Sequence, residues 1–271
     1  MNEVLLEVSN LRKTFGDSVA VDNVSFNLRS AEILGVVGES GSGKTTLARC
    51  IMRAIETDSG TVRYRSEQGW HELLQMTERE LLPLRRQIQM VFQDPFASLN
   101  PRMTVEEILE EPLIIHRLGD KASRRQAVTE VLASVHLDSD VLSRFPHAFS
   151  GGQRQRISIA RALILQPRLL VCDESVSALD VSVQAQIINL LEDLQQSLGL
   201  TYLFVAHDLS LVRHICDRVL VMYKGQVVEE GAVDTVFDNP KHDYTKLLLS
   251  AIPSADPDQR LAPMDRRLLN I

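Results

Sequence analysis

The sequence has 271 residues, of which 44% are hydrophobic and 24% are charged, and its formal net charge is −7. A chain of this length can bury a substantial core without disulfides. The acidic balance argues against general nucleic-acid binding, which usually requires a basic surface. No stretch approaches the roughly 20 apolar residues that cross a bilayer, and the start MNEVLLEVSN has no basic segment before an apolar run, so we expect a cytoplasmic protein.

The first predicted elements are two strands, over residues 4–9 and 21–28, where apolar and polar residues roughly alternate. Phe15 lies between them, after Arg12 and Lys13. An aromatic side chain at a loop tip could stack on a flat base, although an isolated phenylalanine is more often a core residue. Both interpretations stay open on this segment alone.

Residues 38–46 read GESGSGKTT and follow a short apolar stretch, residues 32–37, that predicts a buried strand. Apolar residues then repeat at helical spacing at Leu47, Ala48, Ile51 and Ile55. The glycines allow a tight turn with inward-pointing N–H groups, Lys44 can reach the β- and γ-phosphates, and Thr45 can offer a hydroxyl to Mg²⁺. Strand, loop and helix in this order predict a phosphate-binding site, which the helix dipole strengthens.

Further along, a strand is predicted over residues 61–65, whereas residues 66–75 show no clear period and receive no function. A T-x-x-E capping box then opens a short helix, and residues 87–92 predict a second buried strand. This strand ends at Gln93. A polar residue at the carboxyl end of such a strand lies where open α/β sheets bind ligands.

The middle of the chain predicts a helical insertion into a β/α domain, over about residues 94–155. It begins with an irregular loop, DPFASLNPR, and continues with a capping box at Thr104 and Glu107 and with apolar residues at helical spacing. Its basic residues are interpreted as a solvated helix face. They are Arg117, Lys121, Arg124 and Arg125.

A second anion site is predicted at Ser150-Gly151-Gly152-Gln153. Serine followed three residues later by glutamine is a capping-box pattern, and the apolar stripe after it predicts a helix. Two glycines expose backbone N–H groups at this helix start. One chain should not need two such sites for one phosphate.

Acidic residues follow the next predicted strand, LLVCDE over residues 169–174. In phosphate-binding enzymes an aspartate at this position fixes Mg²⁺, and the neighbouring glutamate can take a proton from water, so we assign these roles to Asp173 and Glu174. Asp180 can cap the helix after them. His207 ends another strand, as Gln93 and Asp173 do, which favours a functional over a structural histidine.

The end of the chain predicts a hairpin over residues 218–230, turning at Lys224-Gly225, and a short helix bounded by prolines over residues 239–253. Residues 251–271 are interpreted as a tail, packed on the surface or partly loose. The three cysteines contain no CxxC pair, so we expect reduced core residues rather than a zinc site or a disulfide. They are Cys50, Cys172 and Cys216.

From about residue 6 to residue 252, the chain resembles an ATP-binding-cassette (ABC) ATPase. Each motif occurs once and in order: GESGSGKTT, the glutamine loop VFQDP, the signature FSGGQRQR, the acidic strand LLVCDE, the loop SALD, and His207. The signature separates ABC ATPases from other P-loop proteins. Details such as DPFASLNPR and the tail KHDYTKLLLSAIP are similar to the oligopeptide/dipeptide/nickel importer branch.

The resemblance implies an α/β fold: a P-loop NTPase (RecA-like) core with an N-terminal antiparallel β subdomain and an inserted α-helical subdomain. The ABC ATPase domain would span residues 1–250, with the helical subdomain at about 94–155 and a tail at 251–271. The implied activity is ATP hydrolysis that drives solute import, with ATP and Mg²⁺ bound.

The resemblance also implies site roles. Phe15 should stack on adenine, and the phosphates and Mg²⁺ should be held by Gly38, Glu39, Ser40, Gly41, Ser42, Gly43, Lys44, Thr45 and Thr46. Thr45, Gln93 and Asp173 should surround the metal. Glu174 should be the general base, with His207, Gln93 and Lys44 as the other catalytic groups and His207 on the γ-phosphate.

The signature residues Ser150, Gly151, Gly152 and Gln153 should close on ATP bound to a partner subunit, with Asp180 at the seam of that dimer. The partner is an identical chain or a sister ATPase. Two transmembrane permease subunits should contact the helical insertion and Gln93 on the cytoplasmic face of the membrane, where this protein would be peripheral. An extracytoplasmic solute-binding protein would take part indirectly, and no nucleic acid is expected.

The chain departs from the family pattern at two positions. Ser175 follows the glutamate where the family usually has proline, which could loosen Glu174, and Asp243 replaces the proline of an HPYT tail motif, which puts docking of the tail in question. Two alternatives remain. One is a soluble ABC ATPase of DNA repair or translation, disfavoured by the short insertion and single cassette. The other is a regulatory protein that binds ATP without hydrolysing it, disfavoured by Glu174 and His207.

Overall fold

The computed structural model of the protein describes residues 3–251, which contain two β-sheets and ten α-helices. The antiparallel sheet has the order β2-β1-β4-β5 and consists of β1 (Val4–Phe15), β2 (Ser18–Arg29), β4 (Ser59–Ser66) and β5 (Gly69–Glu72). The second sheet has the order β10-β9-β3-β8-β7-β6 and consists of β3 (Ile33–Val37), β6 (Ile88–Val91), β7 (Leu169–Asp173), β8 (Thr201–Val205), β9 (Arg218–Tyr223) and β10 (Gln226–Ala232).

The ten α-helices of the described residues are distributed along the chain, between and after the strands. They are α1 (Lys44–Ile51), α2 (Glu78–Gln87), α3 (Pro95–Ser98), α4 (Val105–Ile115), α5 (Lys121–Ser134), α6 (Gly151–Leu163), α7 (Val181–Leu198), α8 (Leu209–Ile215), α9 (Val233–Asp238) and α10 (Asp243–Ser250). None of the helices in residues 3–251 has the length and apolar composition that spanning a membrane requires.

The second sheet is parallel from β9 to β6, and both of its faces are buried. Side chains of a strand alternate between faces. Leu34 and Val36 of β3 therefore join the core shared with α1 and the antiparallel sheet, whereas Ile33 and Val37 join the core shared with the other helices. This layered arrangement confirms the predicted α/β class with an antiparallel sheet and a helical part.

Strand β1 is longer than the sequence predicts, because it passes through an irregularity instead of ending there. The register with β2 shifts between Val8 and Leu11, and Asn10 has a left-handed φ of 50°. Asparagine tolerates this conformation. The Asn10 N–H donates to the Ser25 hydroxyl at 2.8 Å. The strand thus continues to Phe15, which ends a strand rather than standing in a loop.

One segment for which the sequence predicts no element forms a strand, and one predicted loop contains a helical turn. Residues 66–75 contain a short edge strand, β5, whose pairing with β4 comes from tertiary contacts that leave no period in the sequence. The loop predicted over residues 94–102 contains one helical turn, α3. The capping boxes at Thr104 and Ser150 are confirmed. The predicted insertion, about residues 94–155, would end inside α6, and its boundaries stay a prediction.

The elements predicted near the end of the chain are present, with small shifts of their bounds. The β9–β10 hairpin turns at Lys224 and Gly225, and α10 is the predicted short helix. The three cysteines are free and buried. The tail predicted for residues 251–271 lies, apart from Ala251, outside the described residues.

Candidate functional site

Residues 38–43 form a loop that packs so closely on neighbouring strands that two of its positions have room only for glycine. Gly38 and Gly43 have φ of 148° and 104°, and a Cβ atom on them would lie 2.2 Å from the Met222 carbonyl oxygen and 2.1 Å from that of Ala20. A side chain at either position would therefore displace the loop from β9 or β2. Gly43 is also the N-cap of α1 and places no side chain over the helix start. The first N–H groups of α1 remain available to an anion.

Lys44 is folded back over this loop. Its side chain is 4% exposed, and its Nζ donates to the carbonyl oxygens of Gly38 and Glu39, both at 2.8 Å. Burial lowers the pKa of Lys44, and the nearby carboxylates of Glu174 and Asp173 partly offset this effect. A third ammonium donor is left for a phosphate oxygen.

Asp173 ends β7 directly beside the loop. Thr45 Oγ1 donates to Asp173 Oδ1 at 2.9 Å, and Asp173 is 2% exposed. Burial raises the pKa of Asp173 above its usual value, because the surroundings disfavour the charged form. A buried carboxylate beside a hydroxyl matches the oxygen ligands that Mg²⁺ prefers, and a cation would supply the missing positive charge. The residues present fit a magnesium ion.

The Glu174 carboxylate lies next to two other predicted site residues. Gln93 Nε2 donates to Glu174 Oε2 at 2.9 Å, and His207 Nδ1 lies 3.5 Å from the same oxygen. Glu174 has a left-handed φ of 47°, an uncommon conformation for this residue. It is fixed by its N–H, which donates to the Val205 carbonyl, and by its carbonyl, which accepts from the N–H and hydroxyl of Ser177.

The parallel sheet is the reason that these residues meet. Gln93 and His207 follow β6 and β8 in the chain, Asp173 is the last residue of β7, and the phosphate loop follows β3. Carboxyl ends of parallel strands share one edge of a sheet. Ser175, which replaces the family's proline, is buried beside Glu174. Whether it alters Glu174 stays a prediction.

Phe15 is 53% exposed at the end of β1, which excludes the core interpretation of this residue. The Lys13 ammonium lies 5.1 Å from the centre of the Phe15 ring. The aromatic face is therefore open to a flat ligand. Ser40 and Gly41 of the loop are also exposed, and Thr46 is half-buried.

The predicted second anion site is a separate helix start. Ser150 Oγ accepts from the Gln153 N–H at 3.3 Å, while Gln153 Oε1 accepts from the Ser150 N–H at 3.1 Å. A Cβ on Gly152 would lie 2.5 Å from Val183 Cγ1, so this glycine lets α6 approach α7 closely. Asp180 is the N-cap residue of α7 as predicted, but its side chain makes no capping hydrogen bond.

Sequence reasoning missed the residues that hold the phosphate loop from outside. The Glu39 N–H donates to the Tyr244 hydroxyl at 3.0 Å, and the Gly225 N–H donates to the Ser42 carbonyl at 3.0 Å. Both contacts join distant parts of the chain. The tail motif around Tyr244 was the available signal, but only as a mark of the family.

We predict that Asp173→Asn stabilises the protein without nucleotide or metal at neutral pH. The raised pKa means that folded Asp173 binds a proton more readily than the unfolded chain does. The wild type therefore loses stability as pH rises from about 4, the ordinary carboxyl value, to the pKa in the folded protein. Asparagine keeps the acceptor for Thr45 and has no charge, so the advantage of the variant should grow over that interval and then stay constant.

Urea unfolding between pH 5 and 8 with a chelator measures this difference. Adding Mg²⁺ and nucleotide should reverse the order, because the cation needs the carboxylate. An Asn variant that is less stable than the wild type at pH 8 without ligands would contradict the electrostatic account of Asp173.

Comparisons with known proteins identify the family of the chain. The family model for the ABC transporter matches residues 21–177, and that for the oligopeptide/dipeptide transporter, C-terminal region, matches residues 228–269. The oligopeptide transport ATP-binding protein OppF of Bacillus subtilis is 51% identical over 263 residues, 95% of this chain and 85% of that protein. OppF of Streptococcus mutans is 49% identical over 259 residues, 93% of this chain and 83% of that protein.

Solved structures give the same result. The ATP-binding cassette MJ0796, in a dimeric post-hydrolysis state bound to ADP and Pi, has a TM-score of 0.74 at 30% identity and covers 84% of this chain and 99% of its own. For cbiO1 from Clostridium perfringens, part of the ABC transporter complex cbiONQ, the TM-score is 0.77 at 26% identity, over 88% and 92% of the two chains. With a family model over more than half of its sequence and relatives this similar over nearly all of it, the chain belongs to the ABC transporter family, as one of its ATP-binding subunits.

Proposed function

We propose that this chain is the ATP-hydrolysing, energy-coupling subunit of an importer for peptides or similar small solutes. The observation that carries the proposal is the contact between Gln93 and Glu174, because Gln93 directly follows Phe92, an exposed side chain in a surface groove. A single residue, Gln93, thus connects the groove with the candidate general base, Glu174. The names of the OppF relatives and the match to the oligopeptide/dipeptide transporter C-terminal region support peptides as the cargo.

The nucleotide is held at three places. Phe15 stacks on the adenine, the N–H groups of residues 40–46 surround the phosphates, and Lys44 donates to the β- and γ-phosphate oxygens. Thr45, Asp173 and Gln93 would hold Mg²⁺, and the bound cation would neutralise charge on the phosphates. The open helix start at Gly43 and the buried charge of Asp173 support these assignments.

Hydrolysis requires a base beside the terminal phosphate. Glu174 accepts a proton from the attacking water, and Gln93 and His207 orient its carboxylate through their contacts with Oε2. His207 also contacts the γ-phosphate. Its side chain is 56% exposed, so it can turn toward a ligand without losing core packing.

A second ATPase chain completes the site. In each chain Ser150 to Gln153, at the start of α6, close on the γ-phosphate held by the partner, with Asp180 at the seam. The capping box uses the N–H groups of Ser150 and Gln153, so the N–H groups of Gly151 and Gly152 are the donors to the phosphate. The dimeric form of the MJ0796 cassette supports this arrangement. The partner is an identical chain or a sister ATPase, and closure on ATP followed by hydrolysis drives the transport cycle.

Two permease subunits bind the surface groove, which has a volume of about 480 Å³. Apolar side chains that are 41–57% exposed line it, namely Leu82, Phe92 and Ile115. Charged residues surround them, including Arg49, Arg85, Glu111 and Arg161. An apolar centre with a charged rim is typical of a protein interface. The chain is accordingly peripheral on the cytoplasmic face of the membrane, and an extracytoplasmic binding protein selects the solute.

We predict that Glu174→Gln keeps ATP binding and lowers turnover by roughly 10²–10⁴-fold, the usual contribution of a positioned general base. Lys44→Ala, in contrast, should weaken ATP binding itself, because it removes the cation from the loop. Equilibrium binding of ATP and phosphate release measure the two effects. Equal phosphate release by the wild type and Glu174→Gln would remove Glu174 from this role.

We also predict that Ile115→Asp weakens association with the permease subunits by about tenfold or more, since it puts a charge into the apolar centre of the groove. Leu198→Asp is a matched control, because both side chains are 57% exposed and Leu198 lies at the end of α7, outside the groove. Co-purification with the permeases measures association, and the ATPase activity of the free subunit should be unchanged. Equal association of the two variants would argue against the groove.

A further inference from the structure

The C-terminal helix α10 packs directly on the phosphate loop. Tyr244, the second residue of α10, is 6% exposed and accepts a hydrogen bond from the Glu39 N–H at 3.0 Å. Its ring lies 4.2 Å from the ring of Tyr223, centre to centre, and Tyr223 is the last residue of β9. The backbone oxygen of the preceding residue, Met222, is the atom that a Cβ on Gly38 would approach most closely. Tyr244 thus packs on the end of β9, the same segment that confines the phosphate loop.

Helix α10 is held in place although Asp243 replaces the proline of the HPYT motif. Glu229 on β10 accepts the N–H groups of Lys241 and His242 at 2.8 and 2.9 Å. His242 Nδ1 in turn caps α10 by accepting the Tyr244 N–H at 3.1 Å. These contacts fix the start of the helix and, with it, the Tyr244 hydroxyl.

Tyr244 and Lys44 hold the same peptide group from opposite sides. The carbonyl oxygen of Gly38 and the N–H of Glu39 belong to one peptide bond. The Lys44 ammonium donates to the carbonyl, and the Tyr244 hydroxyl accepts from the N–H. The peptide therefore cannot rotate without breaking a hydrogen bond, and its orientation determines where the Lys44 ammonium rests.

We propose that Tyr244 is a positioning residue for the phosphate loop, and that docking of α10 through Tyr244 sets the affinity of this subunit for ATP. The hydroxyl keeps the Gly38–Glu39 peptide, and through it Lys44, in the orientation that receives the phosphates. The inference rests on the proposed role of the loop and Lys44 in binding ATP. It makes the C-terminal region a regulatory element, because any partner that lifts α10 would weaken nucleotide binding.

Tyr244→Phe tests the proposal, since it keeps the ring and its stacking on Tyr223 and removes only the acceptor. One lost hydrogen bond should raise the KM for ATP about three- to tenfold, and kcat should change less than about twofold, because the loop is held before and during the reaction alike. Tyr223→Phe is the matched control. It alters the other ring of the stack and should leave KM unchanged.

The midpoint of thermal unfolding, measured without nucleotide, separates positioning from stability. Equal midpoints for the wild type and Tyr244→Phe, together with a raised KM, support the proposal. An unchanged KM, or equal increases for Tyr244→Phe and Tyr223→Phe, would overturn it. Loss of ATP binding in Lys44→Ala with a wild-type KM in Tyr244→Phe would reject this inference alone, whereas full ATP binding by Lys44→Ala would reject the underlying assignment of the loop.

A second variant tests the part played by helix docking. Glu229→Ala removes the acceptor for the N–H groups that precede α10, and it should raise the KM for ATP as Tyr244→Phe does. Because both residues act through the same contact, the double variant with Tyr244→Phe should be less than additive. Additive effects on KM would overturn the claim that docking of α10 acts through Tyr244.

Discussion

Each of the two anion-binding helix starts in this chain is fixed to different elements by glycine contacts. Gly38 and Gly43 hold the phosphate loop against β9 and β2, while Gly152 seats the start of α6 against α7. The two helices also pack on opposite faces of the parallel sheet. Within one chain, the start of α6 could reach a phosphate bound at the start of α1 only if the core rearranged. Well-packed cores do not deform continuously. This constraint is the physical reason for proposing a site that two chains complete together.

Within one chain, the buried charged groups of the phosphate loop and of β7 favour the binding of ligands of opposite charge. Asp173 is a buried carboxylate whose pKa burial raises, and Lys44 is a buried ammonium whose pKa burial lowers. Both groups lie in an environment that disfavours their charged forms. Phosphates and a divalent cation would relieve both penalties. Binding of the nucleotide thus improves interactions that the free protein leaves incomplete.

The fold class and most of the central site could be predicted from the sequence, because they depend on short local patterns. Apolar runs that end in Gln93, Asp173 and His207 indicate a shared sheet edge, and the loop before Lys44 has a distinct spacing of glycines. Contacts between distant segments could not be predicted in this way. The edge strand β5 and the hydrogen bond from Glu39 to Tyr244 depend on packing, which leaves no period in the sequence. The local pattern around Phe15 left stacking and burial open, the resemblance implied stacking, and the exposure of the side chain excludes burial.

Cross-linking between chains tests most directly whether two chains share each phosphate. A chain with Ser40→Cys is mixed with a chain carrying Gln153→Cys, both with Glu174→Gln to preserve ATP, and treated with a short reagent that bridges two thiols. Both positions are exposed, and the three native cysteines are buried and should not react. The account predicts a cross-linked dimer that forms with ATP and Mg²⁺ and is largely lost without ATP. An equal yield without ATP, or cross-links only within one chain when it carries both cysteines, would contradict it.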